Sequence, residues 1–138
     1  MGLSQTSKYE RPLVIVVSKF DEWSHLLQAD DDREPWRTQG NVTAVDVERI
    51  ESRSDRVREL LERFSPEVVT AAESFARDIT FVAVSSLGPH IEVDPHSGLA
   101  GVRPRNIRPH WTAVPLLYSL SRTMPGLVPR MIRRVKSH

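Results

Sequence analysis

The sequence has 138 residues and no cysteine. Disulfide bonds, cysteine-ligated zinc and thiol nucleophiles are therefore excluded within it. It has no apolar run near the roughly 20 residues needed to span a bilayer, and residues 1–8 lack the apolar segment of a signal peptide. No Gly-x-Ser-x-Gly motif is present, so nothing supports serine-hydrolase chemistry. From these absences we expect a protein of the reducing cytoplasm.

Acidic residues are absent from the last third of the chain. No Asp or Glu follows Asp94, whereas Arg and Lys recur as far as Lys136. A basic amphipathic tail can contact anionic lipid or nucleic acid. A solvated C-terminus is the more common role of such a segment. We therefore expect residues 124–138 to form a basic tail without membrane or nucleic-acid contact.

One aliphatic run, Leu13–Val17, organises the chain. Because its apolar residues do not alternate with polar ones, it predicts a strand at about 12–18 that is buried on both faces. The run stops at the polar tetrapeptide Ser18-Lys19-Phe20-Asp21. Open parallel sheets bind ligands outside the carboxyl ends of their strands, so this tetrapeptide is a candidate site. A short helix is predicted next, and the alternative role of Asp21 is to cap that helix.

A second strand is predicted at residues 79–84, which are rich in β-branched residues. It also ends in small polar residues, Ser85-Ser86-Leu87-Gly88. Between the two strands, apolar residues at intervals of three and four predict helices over 45–64 and 65–78. Two strands joined through helices form a right-handed parallel unit. The two polar strand ends should therefore lie side by side.

Two segments are predicted to be loops. Residues 29–44 should form an exposed loop, in which Asp30–Asp32 is expected to be a solvated charge run, with a cation site as the alternative. Residues 89–110 are rich in proline and are predicted to be irregular, apart from a short extended piece at 91–93. Three histidines of this second segment lack the spacing of a metal site, and we expect them to be scattered loop residues: His90, His96 and His110.

A final helix is predicted from Trp111, with Pro115 tolerated in its first turn. Residues 1–11 are polar and are predicted to be a flexible lead-in. The domain organisation expected from the sequence is thus a lead-in, one α/β domain over residues 12–123, and the basic tail.

The order of these elements resembles a known family. A strand ending in Ser-Lys-Phe-Asp, a strand ending in Ser-Ser-Leu-Gly, and a last helix with Pro115-Leu116-Leu117 resemble the C-terminal half of a bacterial P-loop GTPase-like domain of the double-GTPase kind. In that family the first strand end carries an [Asn/Thr]-Lys-x-Asp guanine-specificity motif and the next a Ser-Ala-Lys-like motif. The resemblance implies an α/β fold with a partial parallel sheet of at least two strands and flanking helices.

The resemblance gives the first motif a role in reading guanine. Asp21 would accept hydrogen bonds from guanine N1–H and the 2-amino group, and adenine would leave that carboxylate unpaired. The aliphatic stem of Lys19 would lie over the base while its ammonium stays in water. Ser18 stands where the family has Asn or Thr.

The second motif would complete the same pocket. By resemblance, Ser85 would brace the loop, and the backbone N–H of Ser86 would donate to guanine O6. Leu87 replaces the usual Lys and would pack on the base. The implied ligand is therefore GTP or GDP.

The family's phosphate-binding features are missing from the sequence. It contains no Gly-x-x-x-x-Gly-Lys-[Ser/Thr] and no Asp-x-x-Gly, which implies Mg²⁺ binding only if an N-terminal half is supplied, and no hydrolysis by this chain alone. The resemblance also leaves strand one without a neighbour on its outer side. An unpaired edge is a template for association, so the expected partner is a missing N-terminal GTPase half or a second copy. The alternative function is a non-catalytic protein-interaction module.

Overall fold

The computed structural model describes residues 7–27, 33–88, 92–101 and 103–131. The predicted charge run Asp30–Asp32, His90, and the end of the basic tail after Met131 lie outside these residues. In chain order the elements are β1 (Leu13–Val17), α1 (Phe20–Trp23), a 3-10 turn (Ser24–Leu27), β2 (Trp36–Gln39), β3 (Val42–Val45), α2 (Val47–Phe64), α3 (Pro66–Phe75), β4 (Ile79–Ala83), β5 (Glu92–Val93), β6 (Ala100–Gly101), a 3-10 turn (Pro104–Asn106) and α4 (Val114–Thr123).

The parallel unit at the centre of the chain is confirmed. β1 pairs in parallel with β4, from Leu13 opposite Ile79 to Val17 opposite Ala83. Helices connect these two strands, and α4 packs against the sheet and contacts β1. The fold is therefore mixed α/β with a two-stranded parallel sheet, as the sequence predicts.

The prediction that β1 is buried on both faces is wrong. Its residues are only partly buried, and Val16 is 49% exposed. β4 is the buried strand, since Phe81, Val82 and Ala83 are almost inaccessible. An unbroken aliphatic run does not distinguish these cases, because exposure depends on which neighbours cover the strand.

The prediction of an exposed loop over 29–44 is also wrong for its described part. β2 and β3 form an antiparallel hairpin in which Gln39 pairs with Val42 across the two-residue turn Gly40-Asn41. Gly40 has φ +61°, the left-handed conformation that such turns require. Trp36 and Val45 anchor the hairpin in an apolar cluster with α4, so tertiary packing stabilises a polar segment as strands.

Helix α2 begins two residues later than predicted, because Val45 belongs to β3. Asp46 caps the helix, and its carboxylate accepts a hydrogen bond from the backbone N–H of Arg49 at 3.1 Å. α3 spans Pro66–Phe75, so it begins one residue after the predicted range of 65–78 and ends three residues before its end. α4 begins at Val114, three residues after the predicted start.

Both ends of the predicted domain extend further than the sequence indicates. In the predicted lead-in, Tyr9 pairs with Ala76 and stacks on Phe75 at 5.4 Å between ring centroids. At the start of the predicted basic tail, Val128 packs on the α4 cluster, and the backbone around Arg130 bonds to β3. Among the described residues, no helix is both long and apolar enough to cross a membrane.

A buried hydrogen-bond network ties α4 to the sheet. Tyr118 is 1% exposed. Its hydroxyl accepts from Thr80 Oγ1 and from Arg122 Nη1, each at 3.2 Å, and donates to Glu51 Oε1 at 3.3 Å. Arg122 also pairs with Asp78, just before β4. Burial is the main cause that raises the pKa of Tyr118 above its ordinary value.

We expect Tyr118→Phe to lower the free energy of unfolding by about 1–2 kcal/mol, because Thr80 and Glu51 lose a buried partner. The raised pKa also gives a pH dependence. The neutral hydroxyl stabilises the fold up to the unfolded-state pKa of about 10, and this contribution is lost as pH rises further. Urea unfolding at pH values from below to above about 10 should therefore show a steeper fall in the free energy of unfolding for wild type than for the variant. Equal pH slopes would contradict the prediction.

Candidate functional site

The two polar strand ends lie together, as the topology predicts. The Ser85 hydroxyl donates a short hydrogen bond to Asp21 Oδ1, so the loop after β4 is tied to α1 after β1. Ser85 is buried, whereas Asp21 is partly accessible, and Oδ2 of Asp21 has no partner among the described residues. A carboxylate that is fixed at one oxygen and open at the other can accept further N–H donors.

Asp21 does not cap the short helix, which corrects the alternative made from the sequence. Lys19 occupies the capping position, with φ 58°, and α1 has no side-chain cap bond. Asp21 instead lies inside α1, and its carboxylate accepts a hydrogen bond from Ser85 in the loop after β4. The sequence suggests a cap because Asp is common at the first position of helices. The true partner, Ser85, lies 64 residues further along the chain.

Lys19 and Ser18 are both exposed at the turn between β1 and α1. Lys19 Nζ lies 3.2 Å from Glu22 Oε1 in a largely solvated pair, which is a weak restraint. The Ser18 hydroxyl has no hydrogen bond among the described residues, but its backbone carbonyl accepts from Trp23 Nε1 at 3.0 Å. Trp23 therefore fixes the backbone of this turn, a role that the sequence did not indicate.

The loop after β4 presents both backbone and side-chain groups. Ser86 is exposed, and its N–H has no partner in the described part of the chain. Leu87 is exposed, and its carbonyl accepts from Arg108 N–H at 3.2 Å. The loop closes through Gly88, whose N–H donates to Ser85 Oγ at 3.0 Å.

Gly88 determines the path of the loop after β4, and it was not among the site residues predicted from the sequence. Its φ of +85° is in the left-handed region, and a Cβ at this position would lie 2.2 Å from the carbonyl oxygen of Arg108. The final glycine of Ser-Ser-Leu-Gly was the available signal, because a glycine that ends a strand motif often marks a tight approach.

The segment before α4 supports the same loop. Ser85 and His110 exchange both backbone hydrogen bonds, at 3.1 and 2.7 Å. The His110 ring stacks on Phe20 of α1 at 4.9 Å, and Trp111 continues the stack at 5.5 Å. His110 is thus a buried structural residue and not a scattered loop histidine.

An arginine from α2 completes this support. Arg53 is buried, and its guanidinium lies 4.8 Å from the Phe20 ring centroid and 5.1 Å from that of Trp111. Guanidinium groups between aromatic faces are attracted by the ring quadrupoles. Because Phe20 immediately precedes Asp21, this packing fixes the position of the candidate carboxylate. No local pattern in the sequence connects these three residues.

Metal-binding side chains do not cluster in the described residues: no group of three or more His, Asp or Glu there could hold a metal ion. The six predicted site residues nevertheless lie together at the carboxyl ends of the two parallel strands, with Ser18, Lys19 and Asp21 after β1 and Ser85, Ser86 and Leu87 after β4. Comparison of the chain with family models, curated proteins and solved structures gave no match.

Proposed function

We propose that the chain is GTPase-related and that the site at the carboxyl ends of β1 and β4 recognises the guanine base of GTP or GDP. The hydrogen bond between Ser85 and Asp21 carries the proposal, because it holds an acidic acceptor beside the loop of Ser86. Guanine needs an acceptor for N1–H and the 2-amino group, and a donor for O6. Asp21 and the Ser86 N–H supply these two functions, and the solvated Lys19 can cover the base with its aliphatic stem.

The proposal covers base recognition and not hydrolysis. Phosphate and Mg²⁺ contacts carry phosphoryl transfer in nucleotide hydrolases, and the sequence contains neither of the motifs that make them. An N-terminal GTPase half on another chain would supply the phosphate and Mg²⁺ site. Without it, the base contacts alone support only weak binding in the cytoplasm.

The test is a fluorescence titration with labelled GDP and, separately, labelled ADP. Wild type should bind GDP more tightly than ADP, and Asp21→Ala should weaken GDP binding at least ~10-fold while leaving ADP binding unchanged, since only guanine pairs with the carboxylate. Asp55→Ala is the matched control, because Asp55 is an exposed carboxylate on α2. Equal GDP binding by wild type and Asp21→Ala, or no GDP binding at all, would reject base recognition.

A second candidate function is a non-catalytic protein-interaction module. The observation in its favour is the partly exposed β1, which has one strand neighbour in the described part of the chain. The titration separates the two candidates, since an interaction module binds neither nucleotide.

A further inference from the structure

The two lateral edges of the β1–β4 sheet differ, because a helix covers the outer side of β4 and the outer side of β1 is open in the described part of the chain. On the outer edge of β4, the N–H of Phe81 donates to Ser54 Oγ of α2 at 2.8 Å, so a helix covers that edge. β1 bonds to the β4 segment through Leu13 N–H and the Val17 carbonyl. Alternate residues of a parallel strand bond to the same neighbour, so the N–H and C=O groups of Val14 and Val16 point away from β4. None of these groups has a partner in the described residues.

Apolar surface accompanies this open edge on both faces of the sheet. On the α2 face, a groove of about 180 Å³ is lined only by apolar residues of β1, the 23–27 segment and α2. Two of its side chains are well exposed, Leu26 at 43% and Phe64 at 61%. Val16 is 49% exposed as well. An unpaired strand edge with flanking apolar side chains is a surface that favours strand addition.

The open edge is complementary to itself in one antiparallel register. When the two-fold axis passes at Ile15, Val14 of each copy lies opposite Val16 of the other, and these residues exchange their outward N–H and C=O groups. Pro12 then faces Ser18 of the second copy. Pro12 has no N–H to donate, and the Ser18 carbonyl that would accept it is already bonded to Trp23 Nε1.

The neighbouring two-fold registers match less well. An axis at Val14 sets Val16 opposite Pro12, so the Val16 carbonyl loses its donor. An axis at Val16 sets Val14 opposite Ser18, whose carbonyl is occupied by Trp23. Of these three registers, the axis at Ile15 is the one that pairs all the outward groups of Val14 and Val16 with groups that have no other partner in the described residues.

We propose that β1 is a dimerisation strand, through which two copies of this chain form a continuous four-stranded sheet around a two-fold axis at Ile15. The Val16 side chain is then covered by Val14 of the second copy, which lies on the same face. The apolar grooves of the two copies then lie on the same face of the four-stranded sheet. The dimer does not depend on nucleotide binding.

The experiment is sedimentation equilibrium of the purified chain over a concentration series. Wild type should show a monomer–dimer equilibrium, with a species of twice the monomer mass of 15.7 kDa. Val16→Lys should raise the dimer dissociation constant at least ~10-fold, because it places charge in an apolar seam. Val42→Lys is the matched control, since Val42 is an exposed strand valine of the hairpin, at 55%. Its dissociation constant should equal that of wild type.

A cross-linking measurement fixes the register independently of the lysine variant. The chain has no cysteine, so Val14→Cys can be mixed with Val16→Cys and treated with a short bis-maleimide. The mixture should cross-link more than either variant alone. The proposal is overturned if wild type stays monomeric at the highest concentration, if Val16→Lys dimerises like wild type, or if the mixture gives no excess. A monomeric chain that instead binds an added GTPase half through β1 would overturn it as well.

Discussion

Gly88→Ala is expected to lower the free energy of unfolding by about 3 kcal/mol, through two costs that add. At φ +85° an alanine pays roughly 1–2 kcal/mol for the left-handed backbone. Its Cβ would also lie 2.2 Å from the carbonyl oxygen of Arg108. That oxygen belongs to the backbone, so relief requires movement of a chain segment and costs about as much again. Urea unfolding followed by far-UV circular dichroism measures the effect.

Gly98→Ala separates the two costs. Gly98 also has positive φ, at +68°, but a Cβ there would meet nothing within 4 Å. We expect it to cost about 1 kcal/mol from the backbone conformation alone. If both variants lose the same stability, the close approach to Arg108 is not a real constraint on the fold.

Gly88→Ala should also affect the candidate site. Gly88 N–H donates to Ser85 Oγ, and that hydroxyl donates to Asp21. A shift of Gly88 therefore reaches the carboxylate proposed to bind guanine. In variant protein that remains folded, labelled GDP should bind more weakly than to wild type, whereas Gly98→Ala should have no effect on GDP binding.

The central parallel unit could be predicted from the sequence because its signals are local. The run Leu13–Val17 and the segment at 79–84 are aliphatic and β-branched, and the helices between them repeat apolar residues at helical spacing. Parallel pairing then follows from the connection, and the meeting of Asp21 with Ser85 follows from parallel pairing. Six site residues could thus be placed together at the carboxyl ends of the two strands.

The remaining features depend on contacts that are distant in sequence. The hairpin carries polar residues at 37–39, and packing of Trp36 and Val45 near α4 decides its structure. The different burial of β1 and β4 follows from α2, which packs against β4 and bonds to its outer edge through Ser54. The stack around Phe20 joins residues from three separate segments. Periodicity contains no information on any of these contacts, since it reports only which side of an element is apolar.

Trp111→Ala is expected to lower the free energy of unfolding by about 3–5 kcal/mol. Trp111 is 1% exposed, contacts the Arg53 guanidinium at 5.1 Å and the His110 ring at 5.5 Å, and donates its indole N–H to the Arg33 carbonyl at 3.3 Å. Alanine keeps the positive φ of 53° but leaves a cavity of most of an indole between α2 and α4. His110 would also lose support on one side of its stack with Phe20. Urea unfolding followed by circular dichroism measures the loss.

Two milder substitutions divide this cost between volume and aromatic character. Trp111→Phe keeps an aromatic face for the buried Arg53, whereas Trp111→Leu fills part of the space without one. We expect the phenylalanine variant to be more stable by about 1 kcal/mol, which is the order of a desolvated cation–π contact. It should also retain more GDP binding, because Arg53 and Phe20 hold the helix that carries Asp21. Equal stability of the two variants would mean that an aromatic face at position 111 adds no stability beyond its volume, and that Arg53 is positioned by other contacts.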